Sequence, residues 1–286
     1  MKILVTTYPF NEKIENHEVL FNTKKSKYNQ KEIDNLLSEH QPDIVIAGTE
    51  KYDIKQLDLC KNLKMISRVG VGTSSINLQE CSNRNIKVAI TADAPTNSVA
   101  ELAIANILYL LKKFHQQDMW YKVMGREIEE CKIGIIGYGR IGRRVEDLLK
   151  SFNPKNIYIN DPFFENSVSL EKIFLESDII TFHTPSLESE IDMKDFNKMK
   201  QNVCIVNTAR ADYINEDDLF LWLSRNKNAS AAIDVYKNEP YERGKLLDLD
   251  NVLLTPHIGS FTSKARSKME KESIYNINKF LEEEKL

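Results

Sequence analysis

The chain has 286 residues, 42% of them hydrophobic and 28% charged, with a formal net charge of −3. This is the make-up of an ordinary globular protein with length for one large or two medium domains. It offers no electrostatic case for nucleic acid, and it has no run of about 18 apolar residues that would span a membrane.

The start, MKILVTTYPF, reads as a strand rather than a signal peptide. It lacks a long apolar region and a small-residue cleavage site. KILVTT (2–7), IVIAG (44–48), MISRVG (65–70) and KVAIT (87–91) read as strands, with QKEIDNLLSEH and INLQECSNRN as helices among them. That alternation predicts βαβ units and a parallel sheet. NSVAELAIANILYLLKKF (97–114) follows as a long helix that is apolar on most faces. Its Ser98 and Glu101 have capping-box spacing. Such a helix must be buried, which places it between domains or between subunits.

A second alternating series begins with CKIGIIG (131–137) and continues with NIYIND (156–161), DIITFHT (178–184), VCIVNT (203–208), SAAIDV (230–235) and VLLTP (252–256). Helical patterns near 141–152, 169–176, 192–200 and 215–226 separate these strands, and a charged helix from about 262 to 284 closes the chain. The expected fold is α/β, with two doubly wound parallel-sheet domains joined by the helices at 97–114 and 262–284. The four cysteines, Cys60, Cys81, Cys131 and Cys204, form no C-x-x-C pair. That fits a reducing cytosol and argues against a disulfide framework and a zinc site, so a cytoplasmic protein without a metal is expected.

KIGIIGYGRIGRR (132–144) contains Gly137-x-Gly139-x-x-Gly142 between a buried strand and a helix. In that context Gly137 permits the tight turn, Gly139 lets the backbone approach a pyrophosphate, and Gly142 allows close packing of helix and strand. The helix N-terminus supplies free N–H groups and a positive dipole for the phosphates, and Arg140 adds a charge-assisted contact. The next strand ends at Asp161, about 20 residues on, where a carboxylate accepts hydrogen bonds from ribose hydroxyls and repels a 2′-phosphate. NAD is therefore the expected cofactor.

Taken with SRVGVGTSSINL (67–78), NSVAEL (97–102), VNTARA (206–211), AAIDVYKNEP (231–240) and LLTPHIGS (253–260), the chain resembles the D-isomer-specific 2-hydroxyacid dehydrogenases, in their phosphoglycerate dehydrogenase-like branch. The resemblance covers nearly the whole length. It implies a flavodoxin-like substrate-binding domain at 1–96 plus 262–286 and a Rossmann NAD-binding domain at 97–261. It also implies that Arg210 holds the substrate carboxylate, that Glu239 pairs with the catalytic histidine and that His257 is that histidine. Asp234 then binds the nicotinamide carboxamide, and the loop Val69, Gly70, Val71, Gly72 cradles the carboxylate with backbone N–H groups. Ile141, Pro162, His183, Thr184, Thr208 and Ala209 fall along the cofactor, His183 on its adenine side. The chemistry agrees with these roles. Reduction of a 2-keto acid needs a proton at oxygen, which a histidine can give and retake near neutral pH. A guanidinium suits a planar carboxylate. His17, His40 and His115 are expected at surface or packing positions.

The chain departs from the family in several places. Ser74, Ser75 and Asn77 stand where relatives usually carry Asp-Asn and then Asp. Ala211 replaces the usual glycine after the arginine, which demands backbone angles alanine accepts, or strain. Gly48 and Thr49 stand where many phosphoglycerate enzymes carry Arg-Ser, leaving Arg68 or Lys51 as candidate cations for a substrate phosphate. The long helix predicts a homodimer with a small-molecule 2-hydroxy or 2-keto acid as substrate and no nucleic-acid or membrane partner. The alternative is an NAD(H)-sensing interaction protein like the C-terminal-binding co-repressors, which share this fold. No partner-docking insertion is visible, which favours the enzyme.

Overall fold

Short apolar runs bounded by turns set the architecture. The structure, a computed structural model, describes residues 1–117, 120–239, 241 and 244–284. The chain divides into two compact units. One runs Met1–Pro95 and resumes at Thr262; the other is Thr96–Phe261.

The first unit opens with β1 (Lys2–Val5), β2 (Glu18–Leu20), α1 (Gln30–His40) and β3 (Ile44–Ala47). It continues with α2 (Ile54–Leu59), β4 (Met65–Arg68), α3 (Leu78–Asn83) and β5 (Lys87–Ile90). Its sheet has the order β2-β1-β3-β4-β5, all parallel, which is the flavodoxin-like arrangement. Every residue of β3 and β4 is buried, as expected for parallel strands covered on both faces. Asn29 and Glu32 form a capping box at α1, and Asp53 with Gln56 forms one at α2.

The second unit holds α4 (Thr96–Leu111), β6 (Lys132–Ile136), α5 (Arg140–Lys150), β7 (Asn156–Asn160), α6 (Leu170–Glu176) and β8 (Ile179–Phe182). It ends with α7 (Met193–Phe196), β9 (Cys204–Asn207), α8 (Glu216–Arg225), β10 (Ser230–Ile233) and β11 (Val252–Leu254). The strand order is β11-β10-β9-β8-β6-β7, again parallel. The order reverses between β6 and β8, which is where doubly wound sheets bind their ligands. One strand of the full six-stranded dinucleotide order is missing beside β7 among the described residues.

The apolar character of α4 has its explanation inside this unit. Ala100, Ala103, Ile104, Ile107, Leu110 and Leu111 pack into one cluster with Ile133 and Ile135 of β6, Val145 and Leu149 of α5, and Val206 of β9. The helix is thus covered within a single chain, on sheet and helix together. Ser98 is not its N-cap, because α4 begins at Thr96. Its buried hydroxyl instead donates to the Gly259 carbonyl at 2.6 Å.

The closing helix, α9 (Ser263–Glu283), belongs to the first unit. Met269, Ile277 and Phe280 join Ile3, Val5 and Met65 in its core, and the Ser273 and Ser67 hydroxyls share a buried hydrogen bond of 2.8 Å. None of the described helices is long and apolar enough to cross a membrane.

Candidate active site

Six parallel strands of the second unit end on one edge, and their order sets the order of the site. His257 follows β11, Asp234 follows β10, Arg210 follows β9, and His183 and Thr184 follow β8. The glycine turn follows β6, and Asp161 and Pro162 follow β7. Sequence-distant residues form one row because parallel strands all deliver their carboxyl ends to the same side.

The glycine turn accounts for each of its glycines. Gly137 has a φ of 93°, and a Cβ there would lie 2.3 Å from the Thr184 nitrogen and 2.5 Å from the His183 carbonyl carbon. The turn therefore seats directly on the end of β8. A Cβ on Gly142 would lie 2.1 Å from the Gly137 oxygen. Gly139 is the opposite case: nothing stands within 4 Å of where its Cβ would be. It caps α5 without a side-chain bond, and the Ile141 and Gly142 amides donate to no described group. Asp161 holds this turn in place. It accepts from the Tyr138 amide at 2.7 Å and from the Phe163 amide at 2.9 Å. Arg140 and Pro162 are exposed.

Two buried polar atoms on the same edge, the Thr208 Oγ1 and the His183 Nδ1, have no partner among the described residues. His183 is fully enclosed, shares a 2.8 Å bond with the Thr181 hydroxyl through Nε2, and is pushed down to about 3 by burial. It is a neutral ring at any working pH. Open space over Gly139, unengaged amides at the α5 N-terminus and an orphan hydroxyl at the end of β9 together fit a bound NAD.

Arg210 sits partly buried with extended backbone, and its Nη1 donates to the Ala209 carbonyl at 2.6 Å. The turn that carries it is fixed by Asn207. That side chain, 1% exposed, donates to the Arg210 carbonyl at 2.8 Å and accepts from the Ala209 amide at 3.0 Å. Ala211 opens a 3₁₀ turn and is not among the non-glycine residues with positive φ, so alanine fits there without strain.

His257 is held from three sides. Its Nδ1 lies 2.7 Å from Glu239 Oε1. Its backbone has a φ of 52°, a left-handed conformation that costs a side-chain-bearing residue about 1–2 kcal/mol. Asp234 over-determines that turn. One carboxylate oxygen takes the Thr255 hydroxyl at 2.6 Å and the Ile258 amide at 2.8 Å, and the other takes the Gly259 amide at 2.9 Å. Burial pushes the Asp234 carboxyl up, and these donors pull it back. Ser98 anchors the Gly259 carbonyl, and the Tyr236 hydroxyl donates to the Thr255 carbonyl at 2.8 Å. Asn207 and Tyr236 were not singled out from the sequence, and Ser98 was read only as a helix cap. Asn207 carried a signal, as a polar residue closing an otherwise apolar strand. Pro240 lies outside the described residues.

In the first unit, the loop Val69–Gly72 follows β4. The Val69 amide is spent on the Ala47 carbonyl at 3.0 Å, and the Gly70 amide on the Thr91 hydroxyl at 2.7 Å. The Val71 and Gly72 amides donate to no described group. Gly70 is required as glycine, since its φ is 143° and a Cβ would meet the Arg68 guanidinium at 2.8 Å. Asn77 is structural: it caps α3 through the Glu80 amide at 3.0 Å and donates to Asp53 at 2.8 Å.

This fold and this row of strand ends define an NAD-dependent oxidoreductase. Residues 100–259 match the family described as D-isomer specific 2-hydroxyacid dehydrogenase, NAD binding domain. A hydroxypyruvate reductase of Thermotoga maritima is 35% identical over 257 residues, 83% of this chain and 84% of that protein. A D-3-phosphoglycerate dehydrogenase of Archaeoglobus fulgidus is 35% identical over 244 residues, 78% of this chain and 46% of that protein. The crystal structure of NAD⁺-bound 3-phosphoglycerate dehydrogenase of Entamoeba histolytica matches with a TM-score of 0.83 at 26% identity, covering 98% of this chain and 95% of that one. The chain belongs to the D-isomer specific 2-hydroxyacid dehydrogenases.

Proposed function

We propose that the protein interconverts a D-2-hydroxy acid and its 2-keto acid with NAD, using His257 and Glu239 as the proton-transfer pair and Arg210 as the carboxylate anchor. The observation that carries this reading is the 2.7 Å bond between His257 Nδ1 and Glu239 Oε1. A carboxylate that accepts from Nδ1 fixes the ring and leaves Nε2 as the nitrogen that exchanges a proton with substrate oxygen. When bound, the cofactor supplies or accepts the hydride at carbon. Arg210, fixed through Asn207, offers a planar fork to the carboxylate and draws electron density from the neighbouring carbonyl. In the first unit, the substrate domain on this reading, the Val71 and Gly72 amides are the loop donors left for a ligand. Asp161 gives the site its preference for NAD over a 2′-phosphorylated cofactor. A phosphoglycerate dehydrogenase-like substrate is one option within this reading.

Arg210→Ala should lower kcat/KM for 2-keto acid reduction by roughly 10–100-fold, the scale of a hydrogen bond to a charged group. NADH affinity should not change. Steady-state kinetics beside NADH fluorescence titration checks this. A large loss of NADH binding in a folded variant would give Arg210 another job.

Homodimerisation is part of the same reading. With α4 covered inside its own unit, its support is now the segment beyond the helix. Phe114, Trp120, Tyr121 and Met124 are 58%, 84%, 77% and 89% exposed. Such a run of large apolar side chains favours a partner surface. Sedimentation at micromolar concentration should give twice the chain mass, and a monomer would refute the proposal. Four buried free thiols support a reducing, cytoplasmic setting.

A further inference from the structure

The carboxyl edge of the first unit's sheet carries an acid that the mechanism does not use. Glu50 lies just beyond β3, folded back over the strand end. Its carboxylate oxygens stand 2.7 and 3.1 Å from where a Cβ on Gly48 would lie. One of them, Oε2, is shut off from solvent and accepts no hydrogen bond from any described residue. β3 and β4 are neighbours, with Ala47 opposite Arg68, and the Val69 amide donates to the Ala47 carbonyl at 3.0 Å. Gly48 and the loop Val69–Gly72 therefore leave the sheet side by side, and the Glu50 carboxylate stands next to the loop with the unengaged amides.

Arg68 is the cation packed against this loop. Arg68 is 9% exposed, and its Nη1 donates to the Val69 carbonyl. Its guanidinium lies beneath Gly70, with Nη1, Cζ and Nη2 at 2.8, 3.0 and 3.0 Å from the Cβ position there. The Arg68 guanidinium is engaged with the loop's own backbone, whereas Glu50 Oε2 has no donor among the described residues. Lys51 is exposed, and its backbone amide is tied to Gln30 at 3.0 Å.

We infer that Glu50 sets the substrate class: a 2-keto acid whose remaining group is neutral or a hydrogen-bond donor, such as a hydroxyl or an amine, and not a phosphoester. This rests on the proposed reading that the Val69–Gly72 loop faces substrate. On this reading the substrate carboxylate takes the two unengaged amides and Arg210, so a phosphate dianion brings a second, larger charge to the same edge with no such donors left, and meets the Glu50 carboxylate in a partly covered site where like charges are poorly screened. A hydroxyl or ammonium group supplies the donor that the carboxylate lacks, and leaving such an oxygen without one is costly.

The test compares hydroxypyruvate with 3-phosphohydroxypyruvate, which differ by the phosphate alone, and uses glyoxylate as a substrate without a tail. Each is reduced with NADH by the wild-type protein and by Glu50→Gln, a variant of the same shape whose fold is checked by its Tm. Wild type should favour hydroxypyruvate over the phosphoester by about tenfold or more in kcat/KM. Glu50→Gln should narrow that ratio by about tenfold, each rate read against the same protein's glyoxylate turnover. A wild-type preference for the phosphoester, or the same ratio in the folded variant, overturns the inference and leaves the proposed function standing. No turnover of any of the three overturns the reading of the site, and the inference with it.

Discussion

His257→Ala should lower kcat/KM for 2-keto acid reduction by about 10²–10⁴-fold, the usual worth of general acid–base assistance, with NADH affinity unchanged. The histidine touches no part of the glycine turn. It ends the strand at the far side of the sheet, and its ring is bonded to Glu239 at 2.7 Å. Reduction needs the imidazolium and oxidation needs the neutral ring. Reductive kcat/KM should therefore fall as pH rises and oxidative kcat/KM should rise. Both limbs should disappear in His257→Ala. The left-handed backbone at this position makes His257→Asn a useful second variant, since asparagine tolerates that conformation and keeps the turn. Glu239→Gln keeps the shape but removes the charge beside the ring, so reduction at neutral pH should suffer more than oxidation. Identical pH profiles in Glu239→Gln and wild type would break the pairing, and near-normal turnover in both His257 variants would return the residue to an ordinary turn.

Gly137→Ala should cost the protein stability as well as cofactor. The added carbon would lie 2.3 Å from the Thr184 nitrogen, which is backbone and cannot swing aside, and the φ of 93° is unfavourable for any side chain. Steric overlap and backbone strain each cost about 1–3 kcal/mol. Gly139→Ala is the matched control. Its Cβ meets nothing within 4 Å, so folding should be normal, while on the proposed reading the methyl fills the space through which the backbone approaches the pyrophosphate. Thermal melts and NADH titration separate the two. Gly137→Ala should lower Tm and NADH affinity together, and Gly139→Ala should lower affinity alone. Equal Tm in all three proteins would mean that the glycine turn does not seat on β8.

The contrast between those glycines shows what the sequence could and could not disclose. Spacing between a strand and a helix set separate expectations for Gly137, Gly139 and Gly142, and the steric demand is visible at Gly137 and Gly142, where a Cβ would meet backbone. Strands such as Ile44–Ala47 and Cys204–Asn207 were legible as apolar runs between turns. β2 and α2 were not, being three and six residues long and lacking a full period of pattern. The apolar α4 was legible as buried, but its place was not. Periodicity reports that a helix is covered on most faces, not by what, and the cover is the sheet and α5. At the site, Arg210, Glu239 and His257 stood out by residue type in motif. Asn207, Ser98 and Tyr236 did not, since they act on backbone carbonyls and amides, which residue type in a motif does not disclose. Asp234 stood out for cofactor contact, whereas the bonds it makes are to the turn that carries His257.

The most direct test of the central claim is turnover itself. The purified protein is mixed with NADH and, in separate reactions, with glyoxylate, hydroxypyruvate and longer 2-keto acids. Loss of NADH absorbance is followed, and the product from hydroxypyruvate is resolved on a chiral column. The account predicts NADH oxidation that depends on the keto acid and yields the D-enantiomer of the 2-hydroxy acid. Tight NADH binding without turnover of any 2-keto acid, or formation of the L-enantiomer, would contradict it.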